Sequence, residues 1–81
     1  MNVLQFLTDA LVEAGISPHE MNSISVAIPG DESGQFDRVV KFEAFGFDMT
    51  FTMPDSEDED VVKAWADNIV AFVGRMKPVA N

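Results

Sequence analysis

The sequence lacks cysteine altogether and has one histidine among its 81 residues. Without cysteine the chain can form no disulfide bridge and no thiolate zinc site, and it has no thiol nucleophile. The single histidine, His19, lies in a polar connector with no second ligand or base nearby in the sequence, and such histidines are usually solvated. The nucleophile elbow G-x-S-x-G, the zinc motif H-E-x-x-H and the dinucleotide-binding fingerprint are also missing. We therefore predict that the protein is not an enzyme and that it binds neither a cofactor nor a metal ion.

Long apolar runs are missing too. No segment approaches the roughly 18 apolar residues of a membrane-spanning helix, and the N-terminus has neither the basic residues nor the apolar core of a secretory signal. We expect a cytoplasmic protein that does not associate with membranes. A chain of 81 residues supports one small core, so we predict a single domain over residues 1–81.

Basic residues are scarce, because five lysines and arginines stand against 14 aspartates and glutamates, for a net charge of −9. This charge opposes direct binding to nucleic acid or to an anionic membrane, since the phosphates would repel the whole molecule. It favours a basic protein or nucleoprotein complex as the partner. The alternative is that the acidity serves solubility alone, for which a small domain typically carries about 2 to 8 net charges.

The clearest pattern that the sequence does contain is the alternation of apolar and polar residues on both sides of Phe45-Gly46. It predicts two antiparallel strands, residues 36–44 and 47–53, joined by these two residues as a tight turn. The turn sets the register on the apolar face, which pairs Ala44 with Phe47, Phe42 with Met49, Val40 with Phe51 and Arg38 with Met53. The opposite face is mostly polar, as in an antiparallel sheet that is covered on one side.

One helix, one short helical turn and one strand are predicted before this hairpin. Asn2 as a cap and apolar residues at helical spacing predict a helix over residues 3–14. A Ser-Pro start predicts a short helical turn over residues 17–20. Residues 22–29 alternate and predict the first strand. The residues of this strand that are expected to face the core are Ile24, Val26 and Ile28.

A second helix is predicted after the hairpin. An apolar stripe at helical spacing places it over residues 57–76, with either Asp55 or Ser56 as its N-terminal cap. The element order then predicts an α+β fold, a two-layer sandwich in which a three-stranded antiparallel sheet carries both helices on one face. The expected core consists of Leu4, Leu7, Leu11, Ile24, Val26, Ile28, Val40, Phe42, Phe47, Met49, Phe51, Trp65, Ile69, Phe72 and Val73.

Two features suggest a binding surface. Acidic residues dominate positions 55–60 at the start of the second helix, and Asp31 and Glu32 lie in the loop between the first two strands. These acidic residues can attract and orient a basic partner. Alternatively, the acids at 55–60 only stabilise the N-terminus of the helix by interacting with its dipole. Phe45 lies at the tip of the hairpin. Its ring either anchors in a pocket of the partner or folds over its own sheet beside Val39.

In its size, its acidity and its helix-strand-strand-strand-helix order, the chain resembles the small inhibitors that bacteriophages encode against host defences, the anti-CRISPR and anti-restriction proteins. The resemblance rests on this whole-chain architecture and on the acidic residues. It implies a non-enzymatic inhibitor that blocks the basic, nucleic-acid-binding site of a defence complex in the host cytoplasm. The residues predicted to bind the partner are Asp31, Glu32, Phe45, Asp55, Glu57, Asp58, Glu59 and Asp60.

The alternative function is a small homodimeric chaperone or assembly factor that holds a client on its sheet. The support for it is the expected outer sheet face, where Ser23, Ser25 and Ala27 are small and Val39 adds a mild apolar strip. A three-stranded sheet also leaves two edges, either of which can pair with a second copy across a two-fold axis. A homodimer is therefore a further expectation.

Overall fold

The strands form one antiparallel sheet, and β2 lies between the other two strands. The structure is a computed structural model that describes residues 2–28, 30 and 32–78. Its elements in chain order are α1 (Val3–Glu13), β1 (His19–Ala27), β2 (Phe36–Ala44), β3 (Phe47–Thr52) and α2 (Glu59–Gly74). The predicted α+β order is confirmed, and the bounds of β2 agree with the prediction at both ends.

The first helix is closed at both ends by its own local sequence. Oδ1 of Asn2 accepts the backbone N–H of Gln5 at 3.1 Å, which satisfies one of the free donors of the first turn. At the other end Gly15 has a φ of +82°, and the N–H of Ile16 donates to the carbonyl oxygen of Leu11 at 2.9 Å. The side chain of Ile16 is buried, so the chain leaves α1 by folding back on its last turn. The helix ends one residue earlier than predicted.

The hairpin of β2 and β3 has the predicted turn and register. Phe45 and Gly46 have φ values of +55° and +81°, the left-handed pair that suits a two-residue turn between twisted strands. The confirmed pairs are Ala44 with Phe47, Phe42 with Met49 and Val40 with Phe51. The ladder continues one step past the end of β3, because the N–H of Met53 donates to the carbonyl oxygen of Arg38 at 3.0 Å.

Both helices pack on the sheet face that carries this apolar row. The buried cluster takes residues from α1, the sheet and α2, and it comprises Leu7, Leu11, Ile16, Val40, Phe42, Ala44, Met49, Ala66, Ile69 and Val73. The rings of Phe42 and Phe51 stack with 5.8 Å between their centroids, and Phe72 meets Phe51 edge-on at 5.7 Å. The two helices also contact each other. The predicted two-layer arrangement is therefore present.

The first strand begins earlier than predicted. It starts at His19, so the short helical turn predicted over residues 17–20 is wrong. The pairing register with β2 shifts between His19 and Asn22, and Glu20 in this bulge has a φ of +58°. The extra residue of a bulge bends the strand and interrupts the alternation of its side chains. The predicted last residue of this strand, Pro29, lies outside the described residues.

The side chains of β1 face opposite to the prediction. Ile24 pairs with Val39 and Val26 pairs with Asp37, which places both β1 residues on the outer face, where they are 41% and 39% exposed. His19 lies opposite Glu43 on this same outer face. Unbroken alternation from His19 would have turned Ile24 and Val26 toward the helices. The extra residue of the bulge reverses the two faces of the strand after it.

Two other residues predicted to be in the core are exposed. Phe47 follows the turn on the edge strand β3 and is 54% exposed, and Phe72 on α2 is 52% exposed. Phe72 contacts the ring of Phe51 on one side and leaves the rest of its own ring in solvent, because β3 is an edge strand with no further strand beside it. The predicted core residues that are partly buried are Leu4, Ile28, Phe51 and Trp65.

Candidate protein-binding site

The acidic segment from Asp55 to Asp60 forms the approach to α2 and its first turn. Oδ1 of Asp58 accepts the backbone N–H of Asp60 at 2.9 Å, which makes Asp58 the N-terminal cap. The hydroxyl of Ser56 instead accepts the N–H of Asp58 at 3.0 Å, in the turn before the helix. The prediction that Asp55 or Ser56 caps the helix is therefore wrong. The helix begins at Glu59, two residues later than predicted, because the residue that caps it, Asp58, lies further along the chain than Asp55 and Ser56.

All the acidic residues of this segment are exposed. Glu59 and Asp60 lie in the first turn of α2, where the helix dipole favours negative charge. Asp58 is engaged as the cap. These three positions therefore suit a helix N-terminus, whereas Asp55 and Glu57 precede the helix and are not part of its first turn.

Asp55 and Glu57 line an open cleft of about 610 Å³ at one end of the molecule. This end, which we name the loop end, is where β1 ends, where β2 begins and where β3 leads into the acidic segment. The cleft is lined by Asn2, Val3, Leu4, Ser23, Phe36, Asp37, Arg38, Thr52, Met53, Pro54, Asp55, Ser56 and Glu57. It thus combines the acidic residues Asp55 and Glu57 with apolar side chains from α1, β2 and the segment after β3.

Hydrogen bonds hold two walls of the cleft in place. The guanidinium of Arg38 donates from Nη2 to the hydroxyl of Ser23 at 3.0 Å, which joins β2 to β1 across the helix-side face. On the other side, the indole N–H of Trp65 donates to the backbone oxygen of Thr52 at 2.7 Å and ties α2 to the end of β3. The acidic segment is therefore anchored close to both of its ends, at Thr52 and at the cap Asp58.

Phe45 lies at the opposite end of the sheet, which we name the turn end. Its side chain is half-buried and packs against the buried cluster. The ring thus contacts the helix-side core, whereas Val39 pairs with Ile24 and lies on the outer face. The expected position beside Val39 is therefore not the one observed, and a role for Phe45 in partner binding stays a prediction.

The predicted partner-binding residues fall into two groups. Glu32 lies in the loop after β1 and the acids of residues 55–60 follow β3, so both belong to the loop end. Phe45 lies at the other end of β2, whose nine residues span roughly 30 Å. Asp31 lies outside the described residues. A partner that contacts the acids and Phe45 at once would therefore have to cover most of the length of the sheet.

Phe36 is the cleft residue that the sequence analysis did not single out. It is the first residue of β2, it lines the cleft, and its side chain is 63% exposed. The available signal was its position on the predicted apolar face at the very start of a strand, where the covering helices need not reach. An exposed aromatic residue beside carboxylates is better placed for partner contact than Phe45.

Among residues 2–28, 30 and 32–78, no three histidine or carboxylate side chains are grouped closely enough to hold a metal ion. In the same part of the chain, no helix has both the length and the apolar character needed to cross a lipid bilayer.

Comparison of the chain with protein-family models, with curated proteins and with solved structures found no match.

Proposed function

We propose that this protein is a non-enzymatic binding module that docks its loop end on a basic surface of a partner protein. We further propose that it acts as an inhibitor, by covering a surface on which the partner binds nucleic acid. The observation that carries the proposal is the cleft in which Asp55 and Glu57 lie beside apolar side chains. Carboxylates at such a site take the place of nucleic-acid phosphates for the partner's lysine and arginine side chains.

The cleft suits the chemistry of an arginine or lysine side chain. Such a side chain has an apolar stem and a charged head. Met53 and Pro54 are half-buried and offer apolar surface to the stem, while the neighbouring Asp55 and Glu57 offer carboxylate oxygens to the head. An arginine head can form two parallel hydrogen bonds with one carboxylate, which gives orientation as well as affinity.

The charge of the whole molecule supports the same partner. A net charge of −9 speeds the approach of a basic protein over distances of about the Debye length, roughly 10 Å at 0.1 M salt. The acids at the loop end then determine which surface meets the partner. The same charge disfavours direct binding to DNA or RNA, so inhibition would occur by competition for the partner and not by coating the nucleic acid.

The experiment compares two variants that each lose four negative charges. The first carries Asp55→Asn, Glu57→Gln, Glu59→Gln and Asp60→Asn, and it keeps Asp58 so that the helix cap survives. The control carries Glu13→Gln, Glu20→Gln, Asp48→Asn and Asp67→Asn, none of which lines the cleft. Binding of a labelled arginine-rich peptide of about ten residues is measured by fluorescence anisotropy at several salt concentrations. We expect the first variant to bind at least about tenfold more weakly than the control at low salt.

Equal losses in the two variants would show that only net charge matters and would contradict a site at the loop end. The inhibitor part of the proposal has its own test, which is capture from a bacterial lysate on immobilised protein. We expect the wild type to retain a nucleic-acid-binding complex that duplex DNA then displaces, and the four-acid variant to retain much less of it. Retained proteins that duplex DNA does not displace would contradict competition with nucleic acid.

A second candidate function, a chaperone that holds a client on its sheet, is favoured by the outer face of β1. Ile24 and Val26 are exposed there beside Val39, and no helix covers them. An extended apolar client segment would lie across these side chains. The test is suppression of aggregation of a reduced, unfolded small protein by the wild type and by an Ile24→Lys, Val26→Lys variant. Equal suppression by both would remove this candidate.

A further inference from the structure

The two edges of the sheet differ in how they are protected. At the β3 edge, the N–H of Met53 donates to Arg38 of β2, so by the alternation of an antiparallel ladder the carbonyl of Thr52 points away from β2. The indole N–H of Trp65 occupies that carbonyl at 2.7 Å. Helix α2 therefore caps the β3 edge where the strand ends. Natural proteins protect edge strands in this way, because unpaired backbone groups are a template for further strand pairing.

Within residues 2–28, 30 and 32–78, no further strand pairs with the β1 edge and no hydrogen bond like that of Trp65 caps it along its second half. The N–H of Ile28 donates to the carbonyl oxygen of Gln35 at 3.5 Å, so the even-numbered residues of β1 bond to β2. By the same alternation, the residues whose backbone N–H and C=O groups point to the free edge are Ser23, Ser25 and Ala27. Most side chains of β1 are exposed. The bulge at Glu20 ends the regular edge on one side, which leaves a regularly paired stretch from residue 22 to residue 27.

The absence of charged side chains along this edge allows a second copy of the chain to approach it. Residues 21–28 carry no charged side chain and no proline, although the chain as a whole has a net charge of −9. Lysine, proline and inward-pointing charges are the usual means of blocking an edge strand, and this stretch has none of them. Two copies of so acidic a molecule repel each other, but along this stretch they can meet without placing like charges opposite one another.

We propose that β1 pairs with β1 of a second copy, antiparallel across a two-fold axis at Ser25, to form a six-stranded sheet. In this register Ser25 of one copy lies opposite Ser25 of the other. Ile24 of each copy lies opposite Val26 of the other copy, because the arrangement is symmetric. The pairing forms about six backbone hydrogen bonds. On the outer face it joins the apolar strip of Val39 and Ile24 to Val26 of the second copy. Apolar pairs of this kind are the main source of stability between neighbouring strands.

The proposed register also bears on Ala27 of β1 and Phe36 of β2, which form the last residue pair between these two strands at the loop end. Ala27 pairs with Phe36 within one copy, and both are exposed. In the dimer Ala27 lies opposite Ser23 of the second copy, whose α1 packs on β1. A two-fold axis normal to the sheet keeps the helices of both copies on one face. The ring of Phe36 then lies two strands, or roughly 10 Å, from the strand that supports the other copy's α1. The inference does not rest on the proposed function, although Ser23 and Phe36 also line the cleft at the loop end.

The first test is the molar mass in solution, measured by light scattering at roughly 100 µM protein. We expect the wild type to have twice the chain mass of 8.9 kDa. Ser25→Pro removes an N–H that points to the free edge and leaves the bonds to β2 intact, so it is expected to give a monomer. Thr50→Pro is the matched control, because Thr50 directs its N–H to the β3 edge by the same alternation, and this variant is expected to remain a dimer.

A second pair of variants covers the case in which proline impairs folding. Ser25→Glu places two carboxylates opposite each other at the axis and is expected to weaken the dimer at least about tenfold. The chain has no cysteine, so Ser25→Cys gives one thiol per copy. In the proposed register the two Cα atoms are about 5.5 Å apart, within the range for a disulfide. We expect this variant to cross-link on mild oxidation and Thr50→Cys to remain uncross-linked.

The proposal is overturned by a wild type that is monomeric at this concentration. It is also overturned if Ser25→Glu, shown to be folded by circular dichroism, dimerises as tightly as the wild type. A dimer in which Ser25→Cys does not cross-link contradicts the register and therefore the proposal as stated. Such a dimer would form through another surface or around another axis.

Discussion

The two ends of β2 are stabilised by different interactions. At the turn end, Val40, Phe42 and Ala44 are buried beneath both helices. At the loop end, residues 36–38 of the same strand are exposed. Apolar burial therefore stabilises one end of the molecule, while the other end depends on a few hydrogen bonds between neighbouring elements. The candidate binding site lies at the second end, where opening costs least.

The difference follows from the dimensions of helices and strands. A strand rises about 3.3 Å per residue and a helix only 1.5 Å, so nine-residue β2 spans roughly 30 Å while the 11 residues of α1 span roughly 16 Å. The 16 residues of α2 span roughly 24 Å, so neither helix matches the full length of the strand. The exposed end of β2 contains Phe36 and Arg38. The side chain of Arg38 donates to Ser23 of β1, and the nearby end of β3 is tied to α2 by the hydrogen bond from Trp65 to Thr52.

The largest expected effect distinguishes the two ends directly. Phe42→Ala removes a fully buried ring from the turn end and is expected to lower the free energy of unfolding by about 3 to 5 kcal/mol. Phe36→Ala makes the same chemical change at the loop end, where the ring is 63% exposed, and is expected to change it by less than about 0.5 kcal/mol. Urea denaturation at roughly 1 µM, low enough to limit dimerisation, measures both. Equal losses would contradict the contrast between the ends.

A smaller effect is expected where α2 meets the end of β3. Trp65→Phe keeps an aromatic ring but removes the N–H that donates to Thr52, and it is expected to cost about 1 to 2 kcal/mol. Asn68→Ala is the control, because Asn68 is an exposed residue in the same groove between α2 and β3. Hydrogen exchange of the backbone amides of β3 shows where the loss occurs. Faster exchange near the Phe45-Gly46 turn than at the strand end would contradict a local role at the loop end.

The smallest effect concerns the start of α2. Asp58→Ala removes the side chain that accepts the N–H of Asp60 and is expected to cost about 1 kcal/mol, whereas Asp58→Asn retains a good cap and is expected to be nearly neutral. Asp55→Ala lies outside the helix and is expected to have no measurable effect on stability. Thermal unfolding followed by circular dichroism provides the comparison. A larger loss from Asp55→Ala than from Asp58→Ala would place the cap where the sequence pattern had predicted it.

The sequence was most informative where local chemistry and burial agree. Alternation on both sides of Phe45-Gly46 predicted the turn, the bounds of β2 and its register with β3, because one face of this hairpin is buried and a slip by one residue would expose it. The cap at Asn2 and the return of the chain at Gly15 were likewise local signals. At the start of α2, several acidic and hydroxyl side chains could each cap the helix, so the sequence alone did not distinguish Asp58 from its neighbours.

The candidate site was less predictable. Its acids were evident from the sequence, but the cleft depends on three distant segments that meet only in the folded chain, namely the start of α1, the exposed end of β2 and the residues after β3. Phe45 was expected either to anchor in a partner's pocket or to fold over its own sheet beside Val39, and the fold instead packs it against the helix-side core. Phe36 was not singled out from the sequence, and its side chain is 63% exposed although it begins the strand that carries the buried Val40 and Phe42.

What the sequence by itself determined is the order of the elements, the central hairpin and the face of that hairpin that is buried, because these depend on patterns within a few residues of each other. What only the tertiary structure decided is which face of β1 points outward and which edge of the sheet stays open. The bulge at Glu20 reverses the side chains of β1, and Trp65 caps the opposite edge. Near the loop end neither face of β1 is deeply buried, so hydrophobic burial does not specify the orientation there and long-range pairing does.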